Sequence, residues 1–567
     1  MTTQRKVLVS ALALLTLLAA VAAGCSPRNE TGTNTPGSNQ VADNNKPPEE
    51  DESVALTDEQ MKKGKDIFFN RCAGCHGVLR KGATGPNLEP VNTKRKGTAY
   101  LEAIITNGTP GGMPEWGKSG ILSADEVKLM ARYVQNDPPA PPEWGLNDMK
   151  ATHKLYIPVS QRPTSPPSRN WQNYFGVVLR DAGKVAIIDG DTYEVLNIVN
   201  SGFAVHILRT SATGRYFYSI GRDGKVGMID LWMEKPDIVA EVKAVNDARS
   251  IEGSKFKGFE DKYVIVGGYW PPMVAIFDGL TLEPLKAVST SSYEIDDGVF
   301  VREARVAAIV ADHHSPTWII NVKEAGQVWL MDYSELETGT TKIDMIKAER
   351  YLHDGGWDLS KRYFLVAANA RNKISVIDTK TQKLVTNVDS KGVTPHPGRG
   401  ANINHAVHGP LWATGHIGSN HVSFIGTDPD NHKDNAWRVV AQTELPGAGG
   451  GNLFLKTHPN SGNIYVDRPL HPDPQAADTI YVIDAVTLKN KKELLLPEQF
   501  RGHKAVHIEF NKQGTEVWVA AWGKKDKPGA IIIYDDKTLE VKKIITGDWM
   551  ITPTGKFNVF NTMNDIY

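Results

Sequence analysis

Cysteine is nearly absent: 567 residues contain three, Cys25, Cys72 and Cys75. Three thiols cannot build a disulfide framework, so each needs another explanation. Net charge is also nearly absent. Lys and Arg total 64 against 65 Asp and Glu, which gives no basic bias of the kind that nucleic-acid binding needs. Long apolar runs are missing beyond the first residues, so no membrane-spanning helix is expected in the body of the chain. The one apolar run, Val7 to Ala23, follows Arg5 and Lys6 and is short for a spanning helix. It reads as a signal peptide over 1–24. Ala22-Ala23-Gly24-Cys25 is similar to a lipidation box, so Cys25 is expected to carry lipid after cleavage. Residues 25–54 lack aromatics and are rich in Asn, Pro, Glu, Ser and Thr. Such a segment buries too little apolar surface to fold, and is expected to be a tether with a reach of about 30 Å.

What the chain does have is length, 51 Gly and 13 Trp. The length demands more than one domain. Order begins at Thr57-Asp58-Glu59-Gln60, a capping box that opens a helix. A second box, Ser123-Ala124-Asp125-Glu126, precedes Val127, Met130, Tyr133 and Val134 on one helical face. The helical pattern stops at Asp137-Pro138-Pro139-Ala140-Pro141-Pro142. A small all-α domain over 55–140 and a linker over 141–155 follow.

From 156 to 567 the pattern changes to short strands. An apolar strand ending in Asp at a turn recurs at Asp189, Asp230, Asp278, Asp332, Asp378, Asp428, Asp484 and Asp535. A period of about 50 residues matches a four-stranded propeller blade. The fold class is therefore a small all-α domain followed by a β-propeller of seven or eight blades, taken as an eight-bladed β-propeller.

Arg71-Cys72-Ala73-Gly74-Cys75-His76 supplies C-x-x-C-H. Two thiols can add to haem vinyl groups while the adjacent imidazole ligates iron. This implies one covalent haem c in a c-type cytochrome domain. The sixth ligand must be a later thioether, because no His lies between Leu79 and Pro142. Met113 sits in the irregular run Gly111-Gly112-Met113-Pro114, whereas Met130 sits on an apolar helical face. Met113 is therefore the expected ligand.

Sixteen His residues occur, and most lie in the propeller region. Three have distinctive surroundings: Val205-His206-Ile207, Leu352-His353-Asp354-Gly355-Gly356 and Pro395-His396-Pro397-Gly398-Arg399. His and Arg together on loops suggest an anionic substrate or cofactor.

Longer runs add a family resemblance. They are Asp223-Gly224-Lys225-Val226, Ala248-Arg249-Ser250-Ile251-Glu252, Tyr269-Trp270-Pro271-Pro272, Phe364 to Ser375, and Thr552-Pro553-Thr554-Gly555-Lys556-Phe557-Asn558-Val559. With them, Thr57 to Tyr567 resembles cytochrome cd1 nitrite reductase. The resemblance implies an exported homodimeric enzyme that makes nitric oxide from nitrite. Its electrons would come from a small c-type cytochrome or cupredoxin. It implies one non-covalent haem d1 in the propeller, with His206 as proximal iron ligand and His353 and His396 over bound nitrite. Arg180, Arg209, Arg222, Arg249 and Arg399, with Ser250 and Tyr269, would surround the carboxylate rim of haem d1 or the anion. Side activity on oxygen or hydroxylamine is part of the same expectation. No Tyr precedes Tyr100 and no His precedes His76, so the N-terminal gate of some family members is not expected. Two rivals remain: a related enzyme that oxidises a haem d1 precursor, and a propeller scaffold that only relays electrons.

Overall fold

The structure is a computed structural model that describes residues 54–567, except 83–84, 110–112, 119 and 524–526. The expected signal peptide, Cys25 and all of the tether but Val54 lie outside the described residues.

Both capping boxes form. Gln60 N–H donates to Thr57 Oγ1 at 3.2 Å while Gln60 Oε1 accepts from Thr57 N–H at 3.0 Å. Ser123 and Glu126 repeat the exchange. Two of the four orphan donors at each helix start are thereby satisfied. Helices Asp58–Ile67, Thr98–Asn107 and Ala124–Tyr133 enclose one small core. Close packing explains Gly64, where a Cβ would meet the Tyr133 ring at 2.4 Å. Arg80 is fully buried beneath this core, donating to the carbonyls of Tyr133 and Asn136 and lying 4.3 Å from the Tyr133 ring centre.

The linker is not free chain. Leu146–Thr152 is a helix whose Met149 is buried in the propeller core. Lys154–Leu155 adds a short strand to the sheet containing Asp237–Lys243. The carbonyl of Pro142 accepts from Trp270 Nε1 at 2.8 Å. The fold thus ties the two domains together over the stretch between them.

Eight four-stranded antiparallel blades follow, one of them extended by the Lys154–Leu155 strand. Each recurrent Asp belongs to the end of a third strand, such as Lys184–Asp189, Thr479–Asp484 and Ala530–Asp535. In the sixth blade the strand stops at Gly426, two residues before Asp428. The reason for the repeat is local. Asp484 accepts the N–H groups of Val486 and Thr487, and Asp535 those of Lys537 and Thr538, so the carboxylate turns the chain into the fourth strand. The ring closes by pairing Pro553–Asn558 with Tyr174–Leu179, the last strand with the first of the propeller. Closure removes the free edges that an open sheet would expose.

Candidate active site and haem-binding loop

Propeller ligands bind where first strands converge on the axis, and the candidate residues map there. His206 directly precedes Ile207–Thr210, which carries Arg209. Asp247–Gly253 carries Arg249 and Ser250, and Leu352–Trp357 carries His353. Arg399 precedes Ala401–His405. Neighbouring first strands contact one another around the ring. The His206 side chain is solvent-accessible. Burial holds its pKa well below the usual range, and Arg249, Arg180 and Arg222 add to the effect. The ring is therefore neutral and can offer a lone pair to iron.

His353 and His396 form a pair with ring centres 5.1 Å apart. His353 Nδ1 lies 2.8 Å from Asp354 Oδ1. His396 Nδ1 donates to the Leu453 carbonyl at 2.8 Å and lies 3.6 Å from Asp354 Oδ2. Asp354 therefore stands between the two imidazoles. Burial alone would raise its pKa, but His396 and His353 outweigh it and hold it at about 2. Burial pushes His353 down to about 4 against the pull of Asp354. Both Nδ1 atoms are occupied, which leaves both Nε2 atoms for a substrate.

The cationic residues divide by partner. Arg209 is buried, donates to the Leu208 carbonyl at 3.1 Å and has a long 3.8 Å approach to Glu252. Burial, then Arg399, pushes its pKa down to about 10. Arg399 donates to the carbonyls of Gly355 and Ile309 at 3.3 and 3.5 Å. Arg249 lies 3.4 Å from Asp247, with its buried Nε unsatisfied. Arg180 pairs with Asp181 at 2.6 Å. The Ser250 hydroxyl accepts from Ile309 N–H at 2.8 Å, which leaves its proton to donate. Tyr269 is stacked between Arg249 and Arg305, 4.9 and 4.7 Å from its centre.

Arg222, which acts on His206, also reaches the neighbouring domain. It pairs with Asp247 at 2.9 Å and gives its remaining donors to the carbonyls of Asn70 and Phe69 at 2.9 and 3.2 Å. It therefore sits at the junction with the cytochrome domain. Arg305, Glu303, Glu324 and Lys323 had no place in the sequence reading, and Asp354 entered it only beside His353. His507 lies on a bulge of strand Ala505–Phe510, 4.7 Å from Phe454 and 5.4 Å from Phe557. His405 and His416 are locked into their own loops, through Val486 and through His421 and Ser390.

In the cytochrome domain Cys72 and Cys75 are free thiols and His76 is buried. The carbonyl of Pro86 can only accept, so His76 Nδ1, 2.8 Å away, carries the proton. Its Nε2 then holds the lone pair, the arrangement expected of a metal-ligating imidazole. Met130 is core, 1 % exposed, while Met113 is only partly buried against the same cluster.

These residues fit two haem groups. Free thiols, an oriented imidazole and a partly buried thioether suit a covalent haem. The axial space has more cation than anion around it and a neutral imidazole within it, which suits an iron macrocycle bearing several carboxylates. Residues 169–562 match the cytochrome D1 heme domain model, and residues 59–134 match the model of cbb3-type cytochrome c oxidase subunit III. The nitrite reductase of Stutzerimonas stutzeri is 49% identical, over 90% of this chain and 95% of that protein. The dihydro-heme d1 dehydrogenase of Pseudomonas aeruginosa is 26% identical, over 89% and 95%. A solved structure of dihydro-heme d1 dehydrogenase NirN in complex with DHE superposes with a TM-score of 0.66 at 26% identity, covering 88% of this chain and 99% of that one. On the family model and the 49% identity, this chain belongs to the cytochrome cd1 nitrite reductase family.

Proposed function

We propose that this chain reduces nitrite with one electron and two protons to nitric oxide and water. The carrying observation is the His353–His396 pair around Asp354 on the propeller axis. When bound, haem c supplies the electron and haem d1 the iron at which nitrite is reduced. Cys72, Cys75, His76 and Met113 would hold the first group, and His206 the iron of the second. Arg209, Arg249 and Arg399, with Ser250 and Tyr269, would take the carboxylates and carbonyls of its rim. Arg180 adds charge to the same wall.

The protein's part in the chemistry is charge and protons. His353 and His396 present Nε2 to the bound anion and hydrogen-bond its oxygens. Asp354 stabilises the imidazolium state of its neighbours, so that two protons can pass to one oxygen, which leaves as water. Oxygen or hydroxylamine reduction would draw on the same donors.

The enzyme would work outside the cytoplasm as a homodimer, lipid-anchored through Cys25. A small c-type cytochrome or cupredoxin would reduce it. No helix among the described residues is long and apolar enough to cross a membrane. The d1-precursor dehydrogenase reading has the weaker support, 26% identity against 49%.

Nitric oxide release from nitrite by the purified, doubly haem-loaded protein tests the proposal. His353→Ala and His396→Ala should each keep both haems and lose about 10²- to 10⁴-fold in turnover. The double variant should lose far less than the product, because the pair acts as a unit. Wild-type turnover in both single variants would remove the assignment.

A further inference from the structure

The Cys72–His76 segment lies on the propeller, and three propeller side chains grip the loop around it. Every group they hold is backbone. Arg222 takes the carbonyls of Phe69 and Asn70. Arg305 donates from Nη1 to the carbonyls of Gly74 at 3.0 Å and Ala73 at 3.4 Å. The Glu303 carboxylate accepts from Val78 N–H at 2.7 Å and Leu79 N–H at 3.0 Å. The held positions therefore run from 69 to 79 and bracket both thiols and His76.

The gripping residues are themselves fixed. Arg305 is fully buried and paired with Glu324 at 2.7 Å. Burial would lower its pKa, but Glu324 outweighs it and raises it. Two glycines permit the close approach. A Cβ on Gly74 would lie 2.9 Å from Arg249 Nη2, and one on Gly77 3.1 Å from Glu303 Oε2. Gly77 also has φ +78°, in the region that disfavours side chains.

Adhesion between domains needs only buried surface. Charged side chains aimed at six backbone groups do something more specific: they set where the backbone that carries the thiols and His76 stands. The other side of the same wall faces the axis, because Tyr269 is stacked between Arg305 and Arg249, and Arg249 acts on His206.

We infer that Glu303 and Arg305 are positioning residues for electron transfer, holding the Cys72–His76 loop at one distance and orientation over the propeller site. The inference rests on the two-haem reading above. Loosening either contact slows passage of the electron between the two haems and leaves the proton chemistry at His353 and His396 intact.

The test uses Glu303→Gln and Arg305→Lys in the full chain with both haems present by absorption. Glu303→Gln keeps the shape and can serve only one of the two amides as acceptor oxygen, while Arg305→Lys loses the fork. Haem c is reduced by a light or radiolysis pulse, and its reoxidation by haem d1 is followed. The expected result is a rate about tenfold or more below wild type, since small misplacements have such effects on positioned reactants. Val78 and Leu79 amides should exchange with deuterium faster in Glu303→Gln. Protein chemically reduced at both haems should produce nitric oxide in its first turnover at the wild-type rate. If Arg305→Lys does not fold, Glu303→Gln decides alone. A wild-type internal rate in Glu303→Gln overturns the inference, as does an equal slowing of the pre-reduced first turnover. Wild-type protein that transfers the electron but makes no nitric oxide overturns the proposed function instead.

Discussion

Asp354→Asn isolates the contribution of one buried charge to proton delivery. Asparagine keeps the size and an acceptor oxygen for His353 Nδ1, and removes only the negative charge. The carboxylate is held at about 2 instead of its ordinary 3.8, with burial opposing and His396 and His353 responsible. That net difference corresponds to about 2 kcal/mol, and since burial opposes it, the attraction to the imidazoles is at least as large and is reciprocal. The His353 imidazolium therefore loses at least about as much when the charge is removed. Burial already disfavours a charged His353, so little remains to compensate. If proton donation lies in the transition state, kcat/KM for nitrite should fall about 30-fold. The factor should hold across about pH 6 to 8, because His353 is held at about 4 and wild type and variant lose its imidazolium in parallel above that value. Steady-state nitrite reduction across about pH 6 to 8, with both haems confirmed by absorption, reads both effects. An unchanged kcat/KM across that range would refute the idea that Asp354 sustains the charge on its neighbours.

Other variants separate the remaining roles. His206→Ala should change or abolish binding of haem d1 and leave the haem c bands untouched; normal d1 occupancy and spectrum would remove His206 from the iron. Met113→Ala should abolish the thioether-to-iron charge-transfer band of haem c. Met130→Ala should retain that band and cost about 2–5 kcal/mol of cytochrome stability by denaturant titration, because Met130 is core. His416 is fully buried, and burial pushes it to about 4 from 6.5. The unfolded chain therefore binds its proton first on acidification. The stability this represents, about 3 kcal/mol, is present above about pH 6.5 and lost as pH falls towards 4. His416→Gln should flatten that part of the Tm–pH curve.

The sequence made local chemistry legible. Each blade announced itself through an Asp whose carboxylate serves the amide two residues on, and in most blades the next one as well, as at Asp484, so the repeat needed no tertiary information. Periodicity likewise placed Met130 in the cytochrome core, where it is buried. The helix Leu146–Thr152 was missed because its N-cap is Gly145, which gives no side-chain signal. Glu303 and Arg305 were invisible for a different reason. Their partners on the haem-binding loop lie more than 200 residues away in sequence, and a buried ion reads like any surface ion until its partner is known. The resemblance supplied Arg222 as a residue of the propeller site, but not its partners, the carbonyls of Asn70 and Phe69.

Pairing also sorts the arginines by task. A buried guanidinium costs several kcal/mol unless its charge and donors are met. Arg305 and Arg222 meet this with Glu324 and Asp247 at 2.7 and 2.9 Å, and spend their remaining donors on loop carbonyls. Their charge is answered within the protein, so they can serve as fixed struts whether or not an anion is bound. Arg209, Arg249 and Arg399 differ. Glu252 stands 3.8 Å from Arg209, Arg249 leaves its Nε unsatisfied, and Arg399 has only two long bonds to carbonyls. Burial and then Arg399 lower the pKa of Arg209, and burial and then Arg222 lower that of Arg249, so each guanidinium faces a like charge in the folded protein. A carboxylate placed among them relieves that repulsion and completes their hydrogen bonds at once. Under the proposed function, anion binding in the propeller would fall to Arg209, Arg249 and Arg399, while Arg222 and Arg305 hold backbone carbonyls of the haem-binding loop.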